Sequence, residues 1–555
     1  MAEIVIDDES KKPYEPSAEE KELYYYGIAG NPKLIARTSC DLWVKPQHQR
    51  PGWGVSFTHT SKHFGAIRDE DDIVSKWTRD FSMMIVEVLK PYLWSYFFPV
   101  RMPLEVAEDL VPSSKERKAI EEAQPIILLI AVTENSMGWK RGIEMALRCR
   151  ELLRDNGFDI EVEVREGTHQ RNAISADLES QIDETFWSKL YPFQTWNPNE
   201  RILPMLSYSG YTVGYLKDHF DWGTIGLHVM LEDDSKVYGL TCRHVVDRNQ
   251  PLERIYNISA ENQKQHHIHG TNRIVADTVE SLDCLHDYMG QYLLKLKKEK
   301  EQEETQILAL EERRSYNKGL LENLEKVKAS ANSEKIIGHV AFYPSFEVST
   351  RTPGYLRDWA LIELDKHKYP KGFKNQVYIS HVPKDDGITG FEGSNGTMLY
   401  LQPQLTSRQQ RWDKTAKKSF IVAKRGAKSN LTYGVTSAIE AVVREPKEDG
   451  THYICWELLI VPLGGKGHFS KGGDSGSCVF DEDGQVIGMV VGSNQVNPPD
   501  HRPWPGIASQ SKDVMKQWDD GTNITFATPI DWVFDDIQDF TGFKPRLVGF
   551  PITRT

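Results

Sequence analysis

The sequence predicts a multidomain chain. An N-terminal α/β region precedes a larger all-β domain, and that domain carries a helical, coiled-coil-like insertion. Three observations predict this. Residues 125–164 run through an apolar stretch, a helical repeat and an alternating strand pattern. Short strand patterns separated by glycine turns recur from about residue 205 to 545. Between them, residues 287–328 are rich in Lys, Glu, Gln and Leu. With 555 residues, 39% of them hydrophobic, the chain is long enough to bury sizeable cores in several domains.

Residues 1–22 are acidic and polar and read as a disordered tail. Residues 23–200 read as a separate α/β domain. A helix is expected over Asp72–Leu89, with Trp77, Phe81, Met84, Ile85, Val88 and Leu89 on its buried side and Pro91 as its stop. Pro125–Val132 is apolar throughout, as in a strand buried on both faces. Trp139–Asp155 has helical spacing in Ile143, Ala146, Leu147 and Leu153, and Asn156-Gly157 suits its C-terminal cap. Phe158–Val164 then alternates with period two, completing a βαβ unit. No phosphate loop, dinucleotide fingerprint or zinc spacing occurs there. Partner binding, substrate recruitment, restraint of the following domain and a plain structural brace all remain open roles.

The chemistry is written in residues 201–555. Phe469–Phe480 reads as a tight turn followed by a strand, with Gly473-Asp474-Ser475-Gly476 at the turn. Such a turn presents the Ser475 hydroxyl beside the N–H groups of Gly473 and Ser475. An acyl-transfer nucleophile needs that arrangement, with donors aimed at the oxygen that becomes negative. A plain hairpin would use the same residue types. Upstream, Val237–Cys242 is an apolar strand that leads to His244. Further on, Asp358 opens an alternating strand over Trp359–Leu364. A histidine would serve as base and an aspartate would orient it.

The segments around these residues, "LTCRHVV", "RDWALIEL" and "GGDSGSCVF", resemble the trypsin/chymotrypsin-fold serine peptidases, and the chain order His244, Asp358, Ser475 is theirs. Lys424–Thr436 resembles a hairpin of the second barrel, Asp483–Ser493 the turn and strand after the nucleophile, and Thr525–Val533 the last strand and C-terminal helix. The resemblance covers about residues 205–545 apart from the insertion. It implies an all-β double-barrel chymotrypsin-like domain and a serine endopeptidase in which His244, Asp358 and Ser475 form the triad. It also implies an oxyanion hole from Gly473 and Ser475, with no metal or organic cofactor. The substrate would be a protein or peptide. By the same resemblance Phe469 lies at the base of the primary substrate pocket with Ser470 beside it, and Val491, Gly492 and Ser493 pair with substrate backbone. A catalytically silent protease-fold scaffold is the alternative, and an esterase using the same triad is a third reading.

Digestive members of the family are activated when a newly cut N-terminus pairs with the aspartate before the serine. No Ile-Val-Gly-Gly-type start follows a basic site here, so Asp474 needs another partner or must face solvent. The nucleophile loop is expected to form without proteolytic activation. Six scattered cysteines with no CxxC pair are unlike a disulfide framework, and Cys242 and Cys478 fit buried thiols. The polar N-terminus lacks the apolar core of a signal peptide, and Phe81–Val100 is interrupted by Glu87, Lys90 and Pro91. An intracellular, cytoplasmic protein without membrane contact is expected. The formal charge of −13 argues against nucleic acid as a partner.

In the insertion, Leu293, Leu296, Ile307, Leu310, Leu321 and Leu324 fit an interrupted heptad seam. It reads as an arm for homo-oligomerisation or partner capture, or as a solvated helical excursion. His266, His267 and His269 have no nearby cysteine or carboxylate cluster and read as a polar surface loop rather than a metal site.

Overall fold

The computed structural model describes residues 12–43, 62–102, 125–171, 211–215, 222–232, 235–246, 256–257, 267–269, 336–349, 354–368, 373–379, 397–402, 419–447, 449–465, 467–494 and 521–549, with isolated positions between them. The chain is mostly β with few helices.

Helix α1 (Ala18–Leu23) begins at Ser17, whose Oγ accepts from the Glu20 N–H. Glu20 is buried against Arg37 at 3.1 Å. Residues 12–22 are therefore folded, against the expected tail, because a capped turn buries their carboxylate with a partner. After β1 (Leu34–Arg37), the single helix expected over Asp72–Leu89 is two: α2 (Asp72–Lys76) and α3 (Arg79–Leu89). Thr78 is extended and its side chain accepts from the Phe81 N–H, so a new helix starts there. The buried face turns with it: Phe81, Ile85, Val86 and Leu89 lie inside, and Met84 is exposed. Strands β2 (Trp94–Arg101) and β3 (Ile126–Val132), helix α4 (Trp139–Asp155) and strands β4 (Glu161–Glu166) and β5 (Gln170–Arg171) follow. β3 and β4 pair in parallel across α4, the expected βαβ unit. Gly157, at φ 77, takes the left-handed conformation that ends the helix.

The next strands are β6 (Tyr211–Tyr215), β7 (Trp222–Ile225), β8 (Leu227–Leu231) and β9 (Tyr238–Thr241), then the short helix α5 (Arg243–Val246). They continue as β10 (Tyr256–Asn257), β11 (His267–His269), β12 (Ile336–Tyr343) and β13 (Ala360–Leu364), with a separate hairpin of β14 (Gln376–Ile379) and β15 (Thr397–Tyr400). The C-terminal part holds β16 (Ile421–Gly426), β17 (Asn430–Thr436), β18 (Ala441–Pro446), β19 (His452–Pro462), β20 (Cys478–Phe480), β21 (Val486–Ser493), β22 (Thr525–Pro529), α6 (Ile530–Thr541) and β23 (Pro545–Leu547).

One sheet runs β1-β4-β3-β2-β18-β19-β17-β16-β20-β21-β22, and β19 also pairs β22. That extra pairing closes β19, β17, β16, β20, β21 and β22 into a barrel. The other large sheet runs β23-β8-β9-β13-β12-β11-β6-β7. β2 pairs β18 through Phe97↔Val442 and Tyr96↔Val443. The boundary expected at residue 200 therefore does not interrupt the sheet, because the α/β layer extends the barrel's own β18–β19 hairpin. Tyr96 and Phe98 also pack on Phe526 of β22, and Arg79 pairs with Glu440 at 2.7 Å. A single cluster of buried apolar side chains runs through both large sheets, from Leu227, Trp359 and Ile362 to Val443, Phe480 and Phe526.

Two expectations fall partly outside the described residues. Only isolated positions of 287–328 are described, so the heptad seam is not. His267 and His269 lie in β11, paired with β12 and β6, where a surface loop was expected; His266 is outside the described residues. Cys242 and Cys478 are buried thiols, as expected. Among the described residues no helix is long and apolar enough to cross a membrane.

Burial holds the His228 imidazole down at about 4, so it is neutral in the fold. The unfolded chain, with an ordinary value of about 6.5, binds that proton more readily. Stability from this group is complete above pH 6.5 and is lost as pH falls from 6.5 towards 4, by about 3 kcal/mol. Thermal melts of wild type and His228→Leu across that window should show a shallower acid slope in the variant, by close to one proton; parallel slopes would refute the assignment.

Candidate active site

His244 sits in α5, one turn after β9 delivers the chain to the edge between the two large sheets. Its Nδ1 lies 2.7 Å from Asp358 Oδ2, and its backbone N–H donates to Asp358 Oδ1 at 3.0 Å. Its Nε2 lies 2.8 Å from Ser475 Oγ. The three side chains named from the sequence thus meet in one hydrogen-bonded row. With Nδ1–H donating to the carboxylate, Nε2 is left with the lone pair that faces the hydroxyl.

Asp358 lies two residues before β13, which is buried on both faces rather than on one. Its neighbours fix it. Arg357 Nε and Trp359 Nε1 both donate to Asp536 Oδ2, at 2.9 and 2.7 Å, so α6 grips the chain on either side of the aspartate. Asp536 is buried, and the two donors compensate its charge.

The loop that carries Ser475 is docked on the other sheet by Thr224. Its N–H donates to the Ser475 carbonyl at 2.8 Å and its Oγ1 to the Gly473 carbonyl at 3.0 Å. Gly226 lies against Gly476 so closely that a Cβ on Gly226 would come within 2.1 Å of the Gly476 carbonyl. Gly473 and Gly476 take φ 94 and 90, which only glycine adopts without strain. Among the described residues, neither the Gly473 nor the Ser475 N–H donates to another group, so both stay available beside the hydroxyl.

Asp474 faces inward and is fully buried. Lys424 of β16, equally buried, reaches it at 3.2 Å. The N–H groups of Lys428, Ser429 and Lys471 donate to the same carboxylate at 2.9, 3.0 and 2.8 Å, and the Ser429 hydroxyl adds a further bond. Burial opposes the charge on Asp474, but Lys424 and these donors outweigh it and hold the carboxyl below its ordinary value. Gly426 leaves the room, since a Cβ there would lie 2.2 Å from Asp474 Oδ1. The partner sought for Asp474 is therefore internal, and the turn is braced without a new chain end.

The expected pocket residues divide. Phe469 is not at an open pocket base. Its ring is packed in the barrel interior with Val422, Ile460, Val479 and Val490, because β16, β19 and β21 converge there. Val491 is likewise a core residue. Ser470 Oγ meets Thr525 Oγ1 at 2.6 Å, and Thr525 is the register partner of Ser493. Asn523 holds the loop by donating to the Ser470 carbonyl and accepting from the Phe469 N–H. Gly492 and Ser493 pair with β5. Sequence reasoning missed Thr224, Lys424, Asn523, Thr525 and Asp536. Cys242 Sγ, His244 and Asp358 fall within 4.8 Å of one another, but the imidazole is already engaged at both nitrogens and the thiol lies 3.2 Å from the Val490 carbonyl.

No family model and no curated protein matches the chain. Among solved structures it is similar to a glutamic-acid-specific serine protease that uses a histidine triad in substrate binding, at 10% identity and a TM-score of 0.28, over 61% of this chain and 98% of that one. A TM-score that low carries no argument about this chain.

Lys424→Met would strand the Asp474 charge in the interior, at a cost of about 3–5 kcal/mol. Reaction of Ser475 with a small fluorophosphonate should slow at least about 100-fold, since a misplaced donor alone costs about that much. Lys424→Met/Asp474→Asn should recover most of the melting temperature, because the pair leaves together. A single variant that melts and reacts like wild type would contradict the bracing role.

Proposed function

We propose that this chain is a serine-type endopeptidase, with Ser475 as nucleophile, His244 as base and Asp358 as the acid that orients it. One observation supports the reading above all others: the 2.7 and 2.8 Å contacts that engage the two nitrogens of one buried imidazole with a carboxylate and a hydroxyl. His244 Nε2 takes the Ser475 proton as Oγ adds to a peptide carbonyl. The N–H groups of Gly473 and Ser475 receive the oxyanion. His244 then returns the proton to the leaving amine, which departs and leaves an acyl-enzyme. Water, deprotonated by the same nitrogen, releases the acid product. Asp358 keeps the tautomer and stabilises the imidazolium. The steps call for no metal or organic cofactor.

On this reading the closed strands β19, β17, β16, β20, β21 and β22 and the sheet β23-β8-β9-β13-β12-β11-β6-β7 correspond to the two barrels of a chymotrypsin-like domain over 201–555, with an arm at 287–328 and the α/β region at 23–200 built onto the first of them. The free thiols fit a reducing, cytoplasmic setting. Ser470 and Thr525, whose hydroxyls meet beside the loop, carry no charge to pair with a cationic substrate side chain. The alternative, a scaffold without activity, would keep the fold and the contacts but turn nothing over.

A fluorophosphonate should label the wild type. Labelling should vanish in Ser475→Ala, and in His244→Ala it should fall by about 10⁴-fold. Labelling of Ser475→Ala at the wild-type rate would remove the assignment. Against a peptide library, hydrolysis should not concentrate after Arg or Lys, and a profile dominated by either would show an acidic group at the substrate site that Ser470 and Thr525 do not supply.

A further inference from the structure

Strand β21 has two edges. One pairs with β22 along Gly488–Ser493. The other pairs with β20 only as far as Met489. There the nucleophile loop takes over: the Gly476 N–H donates to the Val490 carbonyl, and the Val490 N–H donates to the Ser477 carbonyl, both at 2.9 Å. Beyond that point the backbone of Gly492 and Ser493 is an edge beside Ser475, the kind of edge to which an extended peptide adds as a further strand.

That edge is filled by the chain itself. β5 pairs with it in antiparallel register, Gln170 opposite Ser493 and Arg171 opposite Gly492. Reading β5 forward means reading β21 backward, from Ser493 towards Val490, so β5 is directed at the loop that carries Ser475. Its approach is anchored at three points. The Gly167 N–H donates to the Val132 carbonyl, the His169 N–H donates to Ser95 Oγ, and the His169 ring packs edge-on against Phe526, 5.0 Å between centroids. Phe526 is itself the β22 partner of Gly492. The His169 Nδ1 also lies 2.5 Å from Glu445 of β18. With the edge filled in this way, Ser475 is 0% exposed and His244 6% exposed.

We propose that β5 is an intramolecular occupant of the substrate-pairing edge, so that the N-terminal region restrains a site whose chemistry is already assembled. The inference rests on the peptidase reading above. A strand tethered this way competes at an effective concentration on the order of millimolar, and a free peptide at micromolar concentration does not displace it. A small reagent that needs no strand pairing is affected far less.

The test compares the full-length wild type with Gln170→Pro/Arg171→Pro, which cannot donate to the β21 edge. Three quantities are read: fluorophosphonate labelling rate, kcat/KM on an internally quenched peptide library, and melting temperature. Labelling should change less than about threefold while peptide hydrolysis rises about tenfold or more. A synthetic peptide of residues 165–171 should inhibit the variant and not the wild type. Unchanged or lower peptide hydrolysis in a variant labelled like wild type overturns the occupancy and leaves the peptidase reading standing. Absence of labelling in the wild type overturns both. Should the proline variant melt early or lose labelling, Gln170→Gly/Arg171→Gly weakens the strand more gently and is judged by the same readings.

Discussion

The site depends on Thr224. His244 and Asp358 belong to one sheet and Ser475 to the other, so their alignment depends on how the two sheets are locked in register. Thr224 makes two of the bonds across that junction, its N–H and hydroxyl both holding carbonyls of the loop that carries Ser475. The adjoining contact of Gly226 on Gly476 admits no side chain, so the two backbones meet directly. Hydrogen bonds between buried backbone groups are individually modest, but leaving them unmade in the interior is expensive. The junction is therefore sharply defined, and the imidazole is aimed by the sheets rather than by a flexible loop.

Each of the three side chains then has its own support. His244 is held through its backbone as well as its ring, since Asp358 accepts from both. Asp358 is held by α6 through its two neighbours. The turn around Ser475 is held by the buried Lys424–Asp474 pair. Such a pair adds little net stability compared with apolar residues, but it does specify geometry, because either charge left alone would be unaffordable in the interior. The conformation of the turn from Gly473 to Gly476 is therefore fixed.

Much of this was legible in the sequence. The three motif segments each carried a local pattern, a strand ending in histidine, an aspartate opening a strand and a glycine-flanked serine, and their order limited the arrangement. The βαβ unit was legible for the same reason, since period and cap are local. The break at Thr78 also had a local marker, a capping residue three positions before Phe81, but the apolar spacing ran through it. What was not legible was non-local. A lysine in an alternating strand looks like any other, and only closure of the barrel brings Lys424 under Asp474. Phe469 was expected at a pocket base, but the direction of its ring depends on the convergence of β16, β19 and β21. The pairing of β2 with β18 joins residues far apart in sequence, and a two-residue strand such as β5 has no period to read.

The grip of α6 on the aspartate strand has a consequence for the nascent chain. Domains acquire structure as they emerge during synthesis. Asp536 is made after the histidine, the aspartate and the serine, and Arg357 and Trp359 have no hold on α6 until it docks. A chain still leaving the ribosome thus carries Ser475 and His244 before the Asp358 strand is held in place, and the three side chains are fixed together only with the closing helix.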